Sequence, residues 1–232
     1  MNSTSAPLEP DTIIPFPRHI PPDYKNVSLE EQCRLDNIAL RLAQLGAKTA
    51  VIRRYSGWGV MKARAIFSEI TGRRPPSGGG HISSVSVIKK SAVVHLHATV
   101  FAVTLLNVLS RDSDDLPGEK ILEAYEIYCE QVRPQGDVNP AELAKAGPSN
   151  NGNWQLLDIN CAALIAADLV IQATVLQYCD YCTAWYLRPT EHTIGQLLEY
   201  QVSLTLQEAT AATQCPMCRI RHETLHYVEP EK

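Results

Sequence analysis

The chain has 232 residues, 45% of them hydrophobic, and a formal net charge of -4 at pH 7. This length and composition indicate a soluble protein of one or two modest domains with a substantial core. Two apolar stretches, Ala92–Leu109 and Cys161–Leu176, fall short of an unbroken membrane span of about 20 residues, and they contain His95 and Asp168. We therefore expect buried helices and no association with a membrane.

The first part of the chain combines a proline-rich segment with a helical pattern. Residues 1–27 contain six prolines and little periodicity, which predicts a disordered arm. Ser28 and Glu31 have the spacing of a capping box, and the apolar residues behind them recur at helical intervals until Gly46. The sequence therefore predicts a first helix between Ser28 and Gly46.

Residues 47–72 have the pattern of two helices joined by a sharp turn. A short helix is predicted over 47–54, a break at Ser56-Gly57-Trp58, and a second helix from Val60 to Gly72. This layout is typical of a helix-turn-helix, whose second helix enters the major groove of DNA. A plain helical hairpin with solvated basic residues is the alternative.

Basic residues are concentrated in the same region. Between Lys48 and Lys90 there are nine Lys or Arg against one acid, Glu69, so this segment carries a charge of +8 in an acidic protein. Such segregation indicates a face that binds a polyanion, although a solvated basic surface has the same composition. The predicted DNA-binding residues are Lys48, Arg53, Arg54, Lys62, Arg64, Arg73 and Arg74.

The rest of the chain is predicted to be mainly helical. We expect a long apolar helix over 85–110, a helix capped by Asp114 or Asp115, a linker at 134–153 and a helix over 154–178. A short strand is predicted at Trp185–Leu187, and the segment 190–213 is either helix or hairpin.

Two Cys-x-x-Cys pairs near the end of the chain form the strongest motif, and 32 residues separate them. Four thiolates on two tight turns are a ligand set that Zn2+ accepts in closed, tetrahedral structural sites. The sequence therefore predicts one structural zinc ion and no catalytic role. The predicted ligands are Cys179, Cys182, Cys215 and Cys218.

Other roles for the cysteines fit the pattern less well. A redox dithiol would follow a strand and open a helix, and disulfides would suit a secreted chain. The N-terminus lacks the basic and apolar regions of a signal peptide, so we expect a reducing, cytoplasmic location. His222 and His226 could replace a ligand, but four thiols suffice. The remaining cysteines are predicted to be small buried hydrophobes: Cys33, Cys129 and Cys161.

Several segments together resemble FlhC, a subunit of the bacterial flagellar master regulator. The resemblance lies in Leu45-Gly46-Ala47, in Glu69-Ile70-Thr71-Gly72-Arg73-Arg74-Pro75-Pro76-Ser77-Gly78, in Ala124-Tyr125-Glu126-Ile127-Tyr128-Cys129-Glu130-Gln131 and in the order of the cysteine pairs. It implies a transcriptional activator that forms a heterohexamer with FlhD, binds promoter DNA and recruits RNA polymerase. It also implies that the four cysteines hold a structural zinc.

These observations predict a mainly α protein that is not an enzyme. The predicted domains are the arm (1–27), a helical DNA- and partner-binding body with a helix-turn-helix-like segment (28–133), the linker (134–153) and a small zinc-ribbon-like domain (154–228). The alternative function is a zinc-stabilised protein-interaction adaptor that does not contact DNA.

Overall fold

The computed structural model describes residues 27–75, 83–111, 114–133, 157–199 and 205–226. In these ranges the protein is mainly helical, with one β-hairpin, which confirms the predicted fold class at that level. The elements are α1 (Leu29–Gln44), α2 (Thr49–Ser56), α3 (Val60–Thr71), α4 (Val85–Ile88), α5 (Ala92–Leu109), α6 (Pro117–Gln131), α7 (Ile159–Val170), β1 (Thr174–Tyr178), β2 (Trp185–Pro189), α8 (Glu191–Glu199), α9 (Leu206–Thr213) and α10 (Pro216–His226).

The first three helices occur in the predicted order, with a turn between α2 and α3. The Ser28 hydroxyl accepts a hydrogen bond from the Glu31 main-chain N–H, which confirms the predicted cap of α1. The second helix begins and ends two residues later than predicted. Gly57 follows it with φ of 64°, a left-handed conformation that favours glycine, and the chain then turns into α3. Helix α1 packs against both α2 and α3.

The predicted helix over 85–110 is interrupted. A short helix, α4, ends at Ile88, and α5 begins at Ala92 after Ser91, whose hydroxyl accepts a hydrogen bond from the Val94 N–H. Ser91 adopts an extended conformation suited to a helix N-cap, which explains the break. Helix α5 is long and apolar enough to cross a membrane by length and composition, yet just over half of it is buried inside the protein.

Helix α5 is the central element of the core. It packs against α4, α6, α7, α10 and both strands of the hairpin. Helix α6 packs against both α5 and α1. An ion pair between Arg34 of α1 and Glu119 of α6 joins these two helices. The predicted cap at Asp114 or Asp115 is wrong, because Leu116 precedes the helix and Pro117 is its first residue. Proline suits that position, where a helix needs no N–H donor.

The predicted helix over 154–178 is also wrong at its C-terminal end. Asp158 caps α7 through a 2.7 Å hydrogen bond from the Cys161 N–H, but the helix ends at Val170. Residues Thr174–Tyr178 instead form β1, which pairs in antiparallel register with β2, with Leu176 opposite Leu187. The strand predicted at Trp185–Leu187 is confirmed as part of β2.

The chain beyond the hairpin is helical where it is described. The segment that could have been helix or hairpin contains α8 and α9. Leu187 and Ala212 belong to the same buried cluster as residues of α1 to α7, so the hairpin and α9 share the main core. The predicted linker, and the predicted arm except for Val27, lie outside the described residues.

Candidate metal centre and candidate nucleic-acid interface

The four predicted ligand cysteines lie together. Their sulfur atoms are all within 4.8 Å of one another, with Cys179 Sγ 3.7 Å from Cys218 Sγ and Cys182 Sγ 3.5 Å from Cys215 Sγ. A tetrahedral ion with Zn–S bonds of about 2.3 Å would place its sulfurs about 3.8 Å apart. The cluster therefore has the size of a four-coordinate metal site, and its sulfur–sulfur distances are too long for disulfide bonds, which measure about 2.05 Å.

The first pair is positioned by the turn of the β-hairpin. The Cys179 N–H donates to the Ala184 oxygen over 2.9 Å, and the Thr183 N–H donates to the Cys179 oxygen over 2.8 Å. Thr183 has φ of 59°, so the chain reverses tightly between Cys182 and β2. Both sulfurs are thereby presented from one compact turn.

The second pair opens a helix. Cys215 directly precedes α10, Pro216 is the first residue of that helix, and the Arg219 N–H donates to the Cys215 oxygen over 3.1 Å. Cys218 follows within the first turn. The first pair thus lies in the turn of a hairpin and the second at the start of a helix. The second pair follows α9 and not a strand, unlike a thioredoxin-type dithiol.

The thiols of the cluster differ in how readily they lose a proton. The Cys182 main-chain N–H donates to the Cys179 sulfur and lowers the pKa of that thiol to about 7. Desolvation raises the pKa of Cys215, and it raises the pKa of Cys218 to about 12. Four thiolates confined to this volume would repel one another, and a divalent cation would offset part of their charge. Among the described residues, no histidine or carboxylate joins the four sulfurs.

Residues outside the cysteine motif hold the centre against the core. Tyr186 is buried beside Cys179 and Cys215, and its hydroxyl donates to the Thr213 oxygen over 3.3 Å. Its ring meets that of His95 edge-on, with 6.4 Å between the ring centroids. The sequence pattern indicates no role at the site for Tyr186 or His95. The one hint is that each places a polar group among apolar neighbours.

The remaining cysteines lie away from this centre. Cys129 and Cys161 are half-buried against the main core, in line with their predicted packing role. Cys33 is exposed on α1, so its predicted burial is wrong. It lies on the side of the helix opposite to its apolar stripe, which is formed by residues such as Leu35 and Ile38.

All seven predicted DNA-binding residues are exposed. Arg53 and Arg54 lie in the last turn of α2, and Lys62 and Arg64 lie near the start of α3, so these four surround one turn. Arg73 and Arg74 follow the other end of α3, which is about 18 Å long at 1.5 Å per residue. Lys48 precedes α2.

The charges in this group differ in their surroundings. In the part of the chain that the structure describes, no carboxylate pairs with Arg53, Arg54, Arg64, Arg73 or Arg74. Lys62 instead lies 3.7 Å from a carboxylate oxygen of Asp36 and over the face of the Trp58 ring. The Lys48 main-chain N–H donates to Asn160 Oδ1 over 2.6 Å, which ties the start of α2 to α7.

Comparisons with known proteins identify no family for this chain: no protein-family model matches it, and no curated protein sequence matches it significantly.

Proposed function

We propose that the chain is a cytoplasmic, zinc-containing transcriptional activator subunit that binds promoter DNA in a hetero-oligomer with an FlhD-like partner. The observation that carries this proposal is the group of exposed arginines, without acidic partners among the described residues, around the turn between α2 and α3. A DNA duplex offers phosphates on both sides of its major groove, and arginine binds phosphate with two parallel hydrogen bonds.

The packing of α1 to α3 supports this assignment. Helix α3 buries Ala63 and Phe67 and leaves Met61 and Arg64 exposed near its N-terminus. In helix-turn-helix proteins, side chains near the N-terminus of the second helix contact base edges. Arg53 and Arg54 precede the turn, where they would contact the phosphate backbone beside the groove.

The metal centre has a supporting role in this proposal. Four thiolates leave no coordination position open for a substrate, which is typical of a structural zinc and not of a catalytic one. Zinc would fix the hairpin to the start of α10, and both elements pack against α5. We propose that the ion stabilises the C-terminal part of the fold and that the protein functions by binding, not by catalysis.

DNA binding is tested with the zinc-loaded full chain and a mixed-sequence DNA duplex across a salt series. The logarithm of the association constant should fall with the logarithm of the salt concentration, by about 0.9 per phosphate contact. Arg53→Gln with Arg54→Gln should lower this slope by about 1.8, because two phosphate contacts are lost. Arg133→Gln with Arg221→Gln is the matched control, since both residues are exposed arginines outside this region. A slope near zero for the unmodified chain would overturn the proposal.

The partner is tested separately. Co-expression with FlhD-like subunits, followed by measurement of the mass of the complex, should give a hetero-oligomer, and the resemblance implies a heterohexamer. A complex that binds promoter DNA and recruits RNA polymerase would support the activator role. A chain that stays alone with every FlhD-like subunit would leave DNA binding as its own property and remove the partner from the proposal.

A second candidate function is an adaptor that reaches DNA only through a protein partner. The observation that favours it is the exposure of Tyr181 (93%) and Met217 (44%), one inside each cysteine pair. Exposed aromatic and methionine side chains beside a rigid metal site are typical of protein-binding surfaces. Tyr181→Ser with Met217→Ser should abolish recruitment to DNA if the chain is an adaptor, whereas the two arginine substitutions should then have no effect.

A further inference from the structure

Lys62 is the one predicted DNA-binding side chain that an acid holds within the described part of the chain. Its ammonium lies 3.7 Å from Asp36 Oδ1, and it also lies over the Trp58 ring. Both contacts direct the side chain toward the body formed by α1 and the turn before α3. Arg64, two residues further along α3, has no such partner among the described residues.

The ammonium of Lys62 in turn stabilises the carboxylate of Asp36. Its Oδ1 atom is buried and has no hydrogen-bond partner, although the side chain as a whole is 44% exposed. The distance to Lys62 Nζ exceeds that of a hydrogen bond, so the attraction between the two charges is what compensates this oxygen. A buried carboxylate oxygen without a donor is costly, and it favours a lysine ammonium that stays close.

We propose that Asp36 competes with DNA phosphate for Lys62 and so limits the affinity of the α2–α3 surface for DNA. This inference rests on the proposed DNA-binding function. The carboxylate supplies the negative charge that a phosphate oxygen would otherwise supply, and the Trp58 ring attracts the same ammonium through a cation–π contact. Arg53, Arg54 and Arg64 are left to contact DNA, while Lys62 is withheld.

The expected change follows from the strength of exposed ion pairs. Such pairs typically change an equilibrium by about two- to fivefold, so Asp36→Asn should tighten binding to a mixed-sequence duplex by about that factor. The freed lysine should add one phosphate contact and steepen the salt dependence by about 0.9. Lys62→Met removes the ammonium and keeps an apolar stem over Trp58, so this background isolates the part of the gain that depends on the lysine.

The experiment combines these variants in a double-mutant cycle. Asp36→Asn with Lys62→Met should show none of the lysine-dependent gain. Glu69→Gln is the matched control, because it removes one exposed carboxylate from α3. Its small electrostatic effect on DNA affinity should be the same in the native chain and in the Lys62→Met variant. Zinc content and the far-ultraviolet circular dichroism spectrum establish that each variant is folded.

The outcomes separate the two proposals. If the unmodified chain fails to bind the duplex at low salt, the proposed function itself is overturned. If it binds, but the gain from Asp36→Asn is absent or survives Lys62→Met, only the role of Asp36 is overturned. A severalfold loss of affinity from Lys62→Met alone would also overturn it, because Lys62 would then already contact DNA in the presence of Asp36.

Discussion

His95 Nε2 lies 2.6 Å from the main-chain oxygen of Leu187, and this contact attaches the hairpin that carries Cys179 and Cys182 to the central helix. One turn further along α5, Thr99 Oγ1 accepts a 3.1 Å hydrogen bond from the Leu187 N–H. Two side chains of α5, spaced four residues apart, thus satisfy both polar main-chain groups of one residue in β2. The hairpin is therefore attached to the core through contacts that do not involve the cysteines.

The burial of His95 predicts a pH-dependent stability. Burial lowers the pKa of His95 to about 4, against an ordinary value of about 6.5. The unfolded chain then binds a proton at this histidine more readily than the folded chain does. The stabilisation of the folded chain by neutral His95 is therefore fully present above pH 6.5 and is lost as the pH falls toward 4. Between pH 7 and pH 5 the free energy of unfolding should fall by about 2 kcal/mol on this account.

Urea unfolding of the native chain and of His95→Gln measures this effect. Glutamine can donate a hydrogen bond to Leu187 but does not titrate. Between pH 7 and pH 5 the variant should therefore lose about 2 kcal/mol less of its free energy of unfolding than the native chain does. Acid weakening of the metal site affects both proteins and cancels in the comparison. Equal losses in the two proteins would contradict the assignment of the titration to His95.

Removal of one thiol should destabilise the protein through loss of the metal. Cys215→Ser should lower the zinc content from one per chain and reduce the free energy of unfolding by at least about 3 kcal/mol, because structural zinc sites contribute their binding energy to folding. Cys33→Ser is the control, since this thiol is exposed on α1 and outside the cluster. Elemental analysis and thermal unfolding provide the two measurements, and a folded native chain without metal would contradict the zinc assignment.

The cysteine cluster could be predicted in part because each Cys-x-x-Cys pair is local. Each Cys-x-x-Cys turn brings two sulfurs together without help from the rest of the fold, and the first helices follow equally from local caps and apolar spacing. What the sequence could not reveal was how the second pair is presented. Its position at the start of α10 depends on α8 and α9, which fold within the intervening segment.

Strand β1 and the contact of His95 were missed for a different reason. The stretch from Cys161 to Leu176 is mostly apolar, with only Asp168, Gln172 and Thr174 as polar residues, so no local signal separates the helix from the strand. Pairing with β2 makes Thr174–Tyr178 a strand. The partner of His95 lies 92 residues away along the chain, so an isolated histidine in an apolar stretch gave no indication of it. The break before α5, by contrast, had a local signal in Ser91, and the apolar pattern on both sides obscured it.

Asn160 should contribute to stability by joining the start of α7 to the turn between α1 and α2. Its Oδ1 accepts a hydrogen bond from the Lys48 N–H, and its Nδ2 donates to the Gly46 oxygen over 3.3 Å. Asn160→Ala should lower the free energy of unfolding by about 1–2 kcal/mol, because two hydrogen bonds are lost. It should also speed amide hydrogen exchange at Lys48.

The control for this effect is Asn37→Ala, an exposed position on α1. Alanine favours a helix, so this change should leave stability equal or slightly higher. Exchange at Lys48 should be unaffected by it. If Asn160→Ala behaved in the same way, the proposed link between α7 and the turn would be contradicted.

Two glycines should respond to alanine in opposite directions, although both lie within helices. A Cβ on Gly118 of α6 would lie 2.6 Å from Ile38 Cγ2 and 2.9 Å from the Tyr55 oxygen, whereas a Cβ on Gly195 of α8 would meet nothing within 4 Å. Gly118→Ala should therefore cost about 1–3 kcal/mol, because α6 must move away from α1 and α2. Gly195→Ala should instead stabilise the protein by about 0.5–1 kcal/mol, since alanine restricts the unfolded chain. Urea unfolding shows whether each substitution raises or lowers the free energy of unfolding. A higher free energy of unfolding for Gly118→Ala would mean that α6 does not pack this closely against α1.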